Sequence, residues 1–346
     1  MSSRIVGLDI GRDMLRAVEL ENPTGQHPVI TKYAEVRLPD GAVRSGEVRE
    51  VQTVASGIKR LWAAGGFKTK RVVLGMGNQR VLARDLTVPR MSTEQIRESL
   101  PFQVQDLLPV PVADALLDFY AISEGEGENG PVIHGLLIAA LKEAVMPNVT
   151  AVRLAGLETV EVDLIAFALT RLFTDRSVPE TIAVIDIGAT TTNVVVATNG
   201  VPGFVRIIPA GGDDITTALH DRLELPVEQA EQAKRAIGVS FAITDPAQRP
   251  AADVIIAVAG ELLNSLRNTL SYFSTTHPSQ PIARVVLTGG GAQLPGLSAA
   301  LSEMTRMPVA LGAPLGTVTA ARGVLPDDAP PSGPTVALAL ALGSAS

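Results

Sequence analysis

The chain has 346 residues, 46% of them apolar and 19% charged, with a net charge of −7. That is enough for two domains with full cores, and an acidic balance without a basic run argues against nucleic acid as a partner. The absence of cysteine and the dispersed positions of His27, His134, His220 and His277 exclude disulfides, thiolate zinc sites, a cysteine nucleophile and a clustered histidine metal site.

Aromatics make up only 3%, so the cores must be built from Val, Leu, Ile and Ala. The stretch Arg4-Ile5-Val6-Gly7-Leu8-Asp9-Ile10-Gly11-Arg12-Asp13-Met14-Leu15-Arg16-Ala17-Val18-Glu19 reads as strand, tight turn, strand. Val48 to Trp62 predicts a helix ended by Gly65-Gly66, and Arg71 to Met76 a short buried strand. Ser92 with Gln95 makes a capping box for a helix that carries Ile96 and Leu100 before Pro101. Leu116 to Ile122 and Val132 to Leu141 read as a strand and its return about the flexible loop Gly125–Gly130. Residues 78–153 thus look like a small α/β insertion in the first domain. A helix over Asp163 to Phe173 leads to the centre of the chain.

There the opening pattern recurs. Ile182 to Val196 holds two β-branched runs joined by Asp186-Ile187-Gly188-Ala189-Thr190-Thr191-Thr192, and Asp186-Ile187-Gly188 aligns with Asp9-Ile10-Gly11 at an offset of 177 residues. A repeat this long predicts two similar domains, each opening with a hairpin. Such a turn offers backbone N–H groups and threonine hydroxyls to an anion, and an aspartate at the strand end offers a hard oxygen for hydrated Mg²⁺. Asp and Gly are also ordinary turn residues, so the repetition carries more weight than either copy.

Beyond the second hairpin, Gly211-Gly212-Asp213-Asp214-Ile215-Thr216 opens a helix with Ile215, Leu219 and Leu223 on one face. Pro226 and Gly238 bracket another, on which Glu231 and Lys234 share a face. Val254, Val258, Leu262, Leu266 and Leu270 stripe a long amphipathic helix, read as core packing. Arg284 to Thr288 is a buried strand that runs into Gly289-Gly290-Gly291. These glycines let a flat ligand lie against bare backbone, and a helix starting near Pro295 could aim its N–H groups at it. A proline-rich link, Pro326 to Pro334, precedes a short closing helix, Val336 to Gly343. No apolar stretch reaches the ~18–20 residues that span a bilayer, and Met1 to Ile5 carries no signal-peptide core. A cytoplasmic protein is therefore expected, meeting the membrane only through a partner.

Two Asp-Ile-Gly hairpins, a Glu-x-x-Lys helix and a Thr288-Gly289-Gly290-Gly291-Ala292 loop, in this order, resemble the actin-like ATPase superfamily. Leu107-Leu108-Pro109, Ala155-Gly156-Leu157, Gly211 to Thr216, Ala230 to Lys234 and Leu287 to Leu297 are similar to the PilM family of type IV pilus assembly, which is related to the cell-division protein FtsA. The resemblance covers essentially the whole chain. It implies an α/β protein of the actin-like ATPase fold, two duplicated ribonuclease-H-like domains with a PilM/FtsA-type inserted subdomain. The first domain would span residues 1–77 and 154–180, the insertion 78–153, and the second domain 181–346, with its outer subdomain at about 207–275.

The resemblance further implies ATP and Mg²⁺ as cofactors. Asp9 and Asp186 would hold the metal, with Asp163 and Asp186 as catalytic residues. Gly11, Gly188, Thr190, Thr191 and Thr192 would line the phosphates, joined by Gly211 and Gly212. Glu231 and Lys234 would contact the ribose and adenine edge, and Gly289, Gly290 and Gly291 would back the adenosine. The implied partner is the cytoplasmic N-terminal tail of a PilN-like inner-membrane protein, with pilus motor ATPases and further copies of the chain as additional contacts.

The first phosphate loop departs from the family. Relatives place small hydroxyl residues and then a Lys there; here Arg16 stands at the Lys position and can still reach a phosphate, with different geometry, and Asp13 adds negative charge. Slow or absent hydrolysis is the expectation. Two alternatives stay open: an FtsA-like division protein, which would need a membrane-binding tail, and a sugar or acetate kinase, for which the insertion shows no distinctive sugar motif.

Overall fold

The computed structural model describes residues 4–25, 27–128, 130–240, 245–313, 318–325 and 333–343. In chain order the first half contains β1 (Arg4–Ile10), β2 (Met14–Glu21), β3 (Val29–Arg37), β4 (Val43–Arg44), β5 (Glu47–Val48), α1 (Val51–Gly65), β6 (Arg71–Met76), β7 (Val81–Pro89), α2 (Thr93–Gln103), β8 (Ala115–Gly127), β9 (Gly130–Leu141), α3 (Lys142–Leu154), β10 (Glu158–Leu164) and α4 (Ile165–Phe173). The second half contains β11 (Thr181–Ile187), β12 (Thr192–Thr198), β13 (Val201–Ile208), α5 (Gly212–Leu223), α6 (Val227–Ile237), α7 (Arg249–Thr276), β14 (Ile282–Thr288), α8 (Leu297–Thr305), β15 (Val309–Leu311), β16 (Thr319–Ala320) and α9 (Thr335–Ala341).

The sequence repeat becomes a repeat of topology. One sheet runs β10-β6-β1-β2-β3, with β16 at its outer edge; the other runs β13-β12-β11-β14-β15. In each, the first three strands form an antiparallel meander, and the next two lie parallel to the first. Register repeats as well: Asp9 faces Arg16 in the first hairpin, and Asp186 faces Asn193 in the second.

Strand alternation assigns the residues to cores. Along β11, Ala183, Ile185 and Ile187 pack with α5, α7 and α8, whereas Ile182 and Val184 enter a core shared with the first sheet. Helices α4 and α9 lie in that shared core between the sheets. A second core joins α1 and α3 to the outer face of the first sheet. A sheet buried on both faces suits the nearly continuous apolar runs of β1 and β11.

Several local expectations shift. Helix α1 ends at Gly66, which takes the left-handed conformation (φ +60°), as a C-terminal glycine does. The Ser92–Gln95 capping box is formed, but α2 continues through Pro101 to Gln103; near a helix end the missing N–H costs one bond only. The glycines of the 125–130 loop extend the strands, with Gly127 paired to Gly130. Asp163 lies not in a helix but one residue before the end of β10. Helix α8 starts at Leu297, after a single 3₁₀ turn over Gly291–Gln293. Most of the proline-rich link, 326–332, falls outside the described residues.

Two sets of contacts cross the boundaries expected between domains. Helix α3, expected within the insertion, packs on α1 with Ala151 and Val152 in the first-domain core; the inserted unit is β7, α2, β8 and β9. The chain end, expected in the second domain, returns to the first. There β16 pairs with β3, and α9 lies on β1 and β2. A Cβ on Gly7 would fall 2.0 Å from the Ala337 carbonyl oxygen, so this approach requires glycine.

Candidate functional site

The two hairpin turns are built alike. Gly11 N–H donates to the Met14 carbonyl at 3.0 Å, and Gly188 N–H to the Thr191 carbonyl at 2.9 Å. A Cβ on either glycine would sit 2.9 Å from the same carbonyl oxygen. Just before each turn, Asp9 and Asp186 occupy the penultimate position of their strand.

The two carboxylates lie close enough to feel each other. Burial pushes the Asp186 carboxyl up to about 7; the charge of Asp9 adds to this, and a hydrogen bond with Asn193 opposes it. Burial also raises Asp9, against the pull of Arg16, whose Nη1 lies 3.9 Å from Asp9 Oδ2. Arg16 is shared, its Nε being 3.3 Å from Glu35 Oε2. One buried carboxylate, Asp186, and one half-buried, Asp9, with one half-shared cation are undercompensated, a donor set that suits a hydrated divalent ion. Asn193 Oδ1 beside them is a buried acceptor with no hydrogen-bond partner among the described residues, as a water-donating site requires. The residues present therefore fit Mg²⁺.

The glycine-rich loop after β14 meets the second hairpin. Gly289 has φ +89°, and a Cβ there would strike Ile187 O at 2.4 Å and Asp186 Oδ1 at 2.6 Å. A Cβ on Gly291 would lie 2.5 Å from Ile187 Cγ2, whereas Gly290 has nothing within 4 Å. The outer two glycines permit packing, and the middle one presents bare backbone to open space. This is the surface that a flat nucleoside needs.

Gly211 and Gly212 pack against the second turn. A Cβ on Gly211 would lie 2.5 Å from the Ala189 oxygen. The first N–H groups of α5 are occupied: Gly212 donates to Gly188 O at 2.9 Å, Asp213 to Ala189 O at 2.8 Å, and Gly211 to Asp214 Oδ2 at 2.9 Å. The pair thus braces the second turn. Thr192 is likewise turned inward, fully buried, with its hydroxyl donating to Ala210 O at 2.8 Å. Thr190 and Thr191 are half-buried, and their hydroxyls have no partner among the described residues.

Glu231 and Lys234 form one network on α6. Lys234 Nζ donates to Gly212 O at 3.0 Å and Thr216 Oγ1 at 2.8 Å, and pairs with Glu231 at 2.6 Å. Burial works to raise the Glu231 carboxyl, but hydrogen bonds from Lys234, Thr216 and Arg235 hold it below its ordinary value. Asp163 stands apart. Its strand neighbour is Gly75, placing it two strands from β1, about 10 Å by strand spacing. Its carboxylate pairs with Arg171 of α4. The structure adds Arg12, Asn193, Asp213 and Thr216 to the cleft. Asn193 was findable: Asp9 to Arg16 and Asp186 to Asn193 are the same seven-residue step.

The family described as "Type IV pilus assembly protein PilM" matches residues 7–345. The chain belongs to the PilM family of type IV pilus assembly proteins. A solved PilM-PilN type IV pilus biogenesis complex is similar at 27% identity and TM-score 0.84, covering 98% of this chain and 97% of that one. The cell division protein FtsA of Pseudomonas aeruginosa is 25% identical over 354 residues, covering 90% of this chain and 83% of FtsA. MreB5 of Spiroplasma citri, solved bound to AMPPNP, shares the fold at 11% identity and TM-score 0.55, covering 97% of this chain and 94% of its own. The fold of this PilM-family chain is thus that of the actin-like ATPases. Among the described residues, no helix is long and apolar enough to cross a membrane.

Proposed function

We propose that this PilM-family protein binds Mg-ATP between its two hairpins and docks the cytoplasmic N-terminal tail of a PilN-like inner-membrane protein at the inner face of the membrane. The observation that carries the nucleotide reading is the convergence of Asp9, Asp186 and the open backbone of Gly290 on one cleft. Asp9 and Asp186 would hold Mg²⁺ through water, and Thr190 and Thr191 would offer hydroxyls to phosphate oxygens. Bound Mg²⁺ would neutralise the two carboxylates and the phosphates together. The pairing of Asp163 with Arg171 supports a nucleotide held as a clasp and hydrolysed slowly.

The partner reading is supported by the likeness to the PilM-PilN complex over nearly the whole chain. It favours a pilus role over an FtsA-like one, whose support is a more distant identity of 25%. The inserted unit leaves Phe102 (82%), Leu107 and Leu116 exposed, apolar side chains that an extended peptide would cover.

Thermal melting with millimolar Mg-ATP tests the nucleotide. A ligand at a hundredfold excess over Kd stabilises by about 2.7 kcal/mol, and Gly290→Arg should remove that shift while leaving the ligand-free melt in place. Tail docking is tested by fluorescence anisotropy with a labelled cytoplasmic segment of the PilN-like protein. Phe102→Ser with Leu116→Ser should weaken it at least tenfold. No shift with ATP, or an unchanged tail affinity, refutes the corresponding half.

A further inference from the structure

Across the cleft, an ion pair joins the turn of the first hairpin to α5. Arg12 Nη1, in the turn between β1 and β2, lies 2.5 Å from Asp213 Oδ2 in the first turn of α5. Arg12 has no counterpart in the duplicated hairpin, where the equivalent residue is Ala189. Asp213 differs equally from its neighbour: Asp214 caps the Gly211 N–H, whereas the carboxylate of Asp213 holds no part of its own helix. Its surroundings are mixed, with Arg12 and Lys234 attracting it, and Asp13 and Glu231 repelling it.

We propose that Arg12 is a phosphate-binding residue of the cleft and that Asp213 is its placeholder, a carboxylate that occupies the guanidinium until a polyphosphate displaces it. The inference rests on the nucleotide reading above and adds a residue and an exchange of partners to it. The pair engages one guanidinium nitrogen, and a guanidinium has five N–H donors in a fixed fork that matches phosphate. A phosphate carries more charge than a carboxylate and can be held bidentately. The pair is also partly solvated, with side-chain exposures of 41% and 21%, and such pairs are weak. The exchange is therefore downhill for a polyanion and neutral for a nucleoside that carries no phosphate. In the ligand-free protein the same pair ties the first hairpin to α5, so the polyphosphate takes over a bridge already spanning the cleft.

The test is a double-mutant cycle read by titration calorimetry with Mg-ATP, Mg-ADP and adenosine on the full chain. Asp213→Asn should tighten ATP and ADP about three- to tenfold and leave adenosine unchanged. Arg12→Ala should weaken ATP and ADP about tenfold or more. Adding Asp213→Asn to Arg12→Ala should recover little, because the guanidinium that Asp213 competes for is gone. Arg12→Lys should rescue part of the loss, since a point charge replaces the fork. If Asp213→Asn tightens ATP equally with and without Arg12, Asp213 repels phosphate directly and the exchange is wrong. If the wild type binds ATP and neither substitution alters it, the Arg12 assignment fails while the nucleotide reading stands. If neither the wild type nor Asp213→Asn binds ATP, the nucleotide reading itself fails and takes this inference with it.

Discussion

The first hairpin and the second share a backbone and differ in nearly every side chain that meets the cleft. Asp9 and Gly11 match Asp186 and Gly188, with the same turn hydrogen bond in each. Between and beyond them, Arg12, Asp13, Met14, Leu15 and Arg16 stand where the second copy has Ala189, Thr190, Thr191, Thr192 and Asn193. The residues in common are those the turn geometry and a metal would demand. The ones that differ divide the work: the first copy supplies cations that reach outward to Glu35 and Asp213, and the second supplies neutral hydroxyls and amides. A duplicated fold thus sets two carboxylates face to face, and divergence of the flanking residues makes a polar cleft with two unlike walls.

The largest difference is also the least chemical. Gly7 corresponds to Val184, and both lie in the middle of a first strand. Val184 is buried in the shared core, but Gly7 lies under α9. Gly7→Val, which makes the first strand like the second, should drive a side chain into the Ala337 backbone and displace α9. Leu338 and Leu340, both fully buried, would lose their cover. The expected loss is about 3–5 kcal/mol, at the upper end for single substitutions, read as a fall in the denaturation midpoint. A variant within about 1 kcal/mol of wild type would mean that α9 contributes little to the first domain.

The carboxylates separate the copies next. Asp186 titrates near 7 in the folded protein, well above its ordinary value, so the folded state binds this proton more tightly than the unfolded chain does. Its contribution is therefore most favourable at low pH and is lost as pH rises from about 4 to about 7, with no further change above. Asp186→Asn should remove that dependence and raise stability at about pH 8 by roughly 2–4 kcal/mol. Asp9→Asn should gain less, because it strips Arg16 of a partner. Mg²⁺ without nucleotide should stabilise the wild type more at about pH 8 than at about pH 5, and should do little for Asp186→Asn. A wild-type pH profile that stays flat between 4 and 8 would break the comparison.

How much of this was legible follows from the range of each interaction. The Asp-Ile-Gly turns, the Ser92 capping box and the stripe Val254 to Leu270 are local patterns, and the structure forms all of them. The contacts of the chain end were not legible, because a seven-residue apolar helix such as α9 carries no mark of the sheet it will cover; only Gly7, a lone glycine inside a strand, hinted at a close backbone approach. The pairing of Asp163 was not legible because Arg171 lies eight residues on, across a strand-to-helix junction, outside any regular spacing. Arg12 and Asp213 are separated by most of the chain, and only the fold brings them together.

The smallest effect concerns three consecutive threonines that look interchangeable in sequence. Thr192 opens β12, and strand alternation turns it inward, where its hydroxyl satisfies the Ala210 carbonyl. Thr192→Val keeps the shape and leaves that carbonyl without its donor. An unmade hydrogen bond in a buried site costs about 1–3 kcal/mol, and the braced segment Ala210–Gly212 should loosen with it. Thr191 is half-buried, and its hydroxyl has no partner among the described residues. Thr191→Val should therefore change stability by no more than about 0.5 kcal/mol while weakening Mg-ATP, since it removes a donor that phosphate would use. The pair reverses between readouts: Thr192→Val is felt in the ligand-free melt, Thr191→Val in the nucleotide-induced shift. Equal behaviour of the two variants in both measurements would show that the second wall of the cleft is not built from the residues that face it.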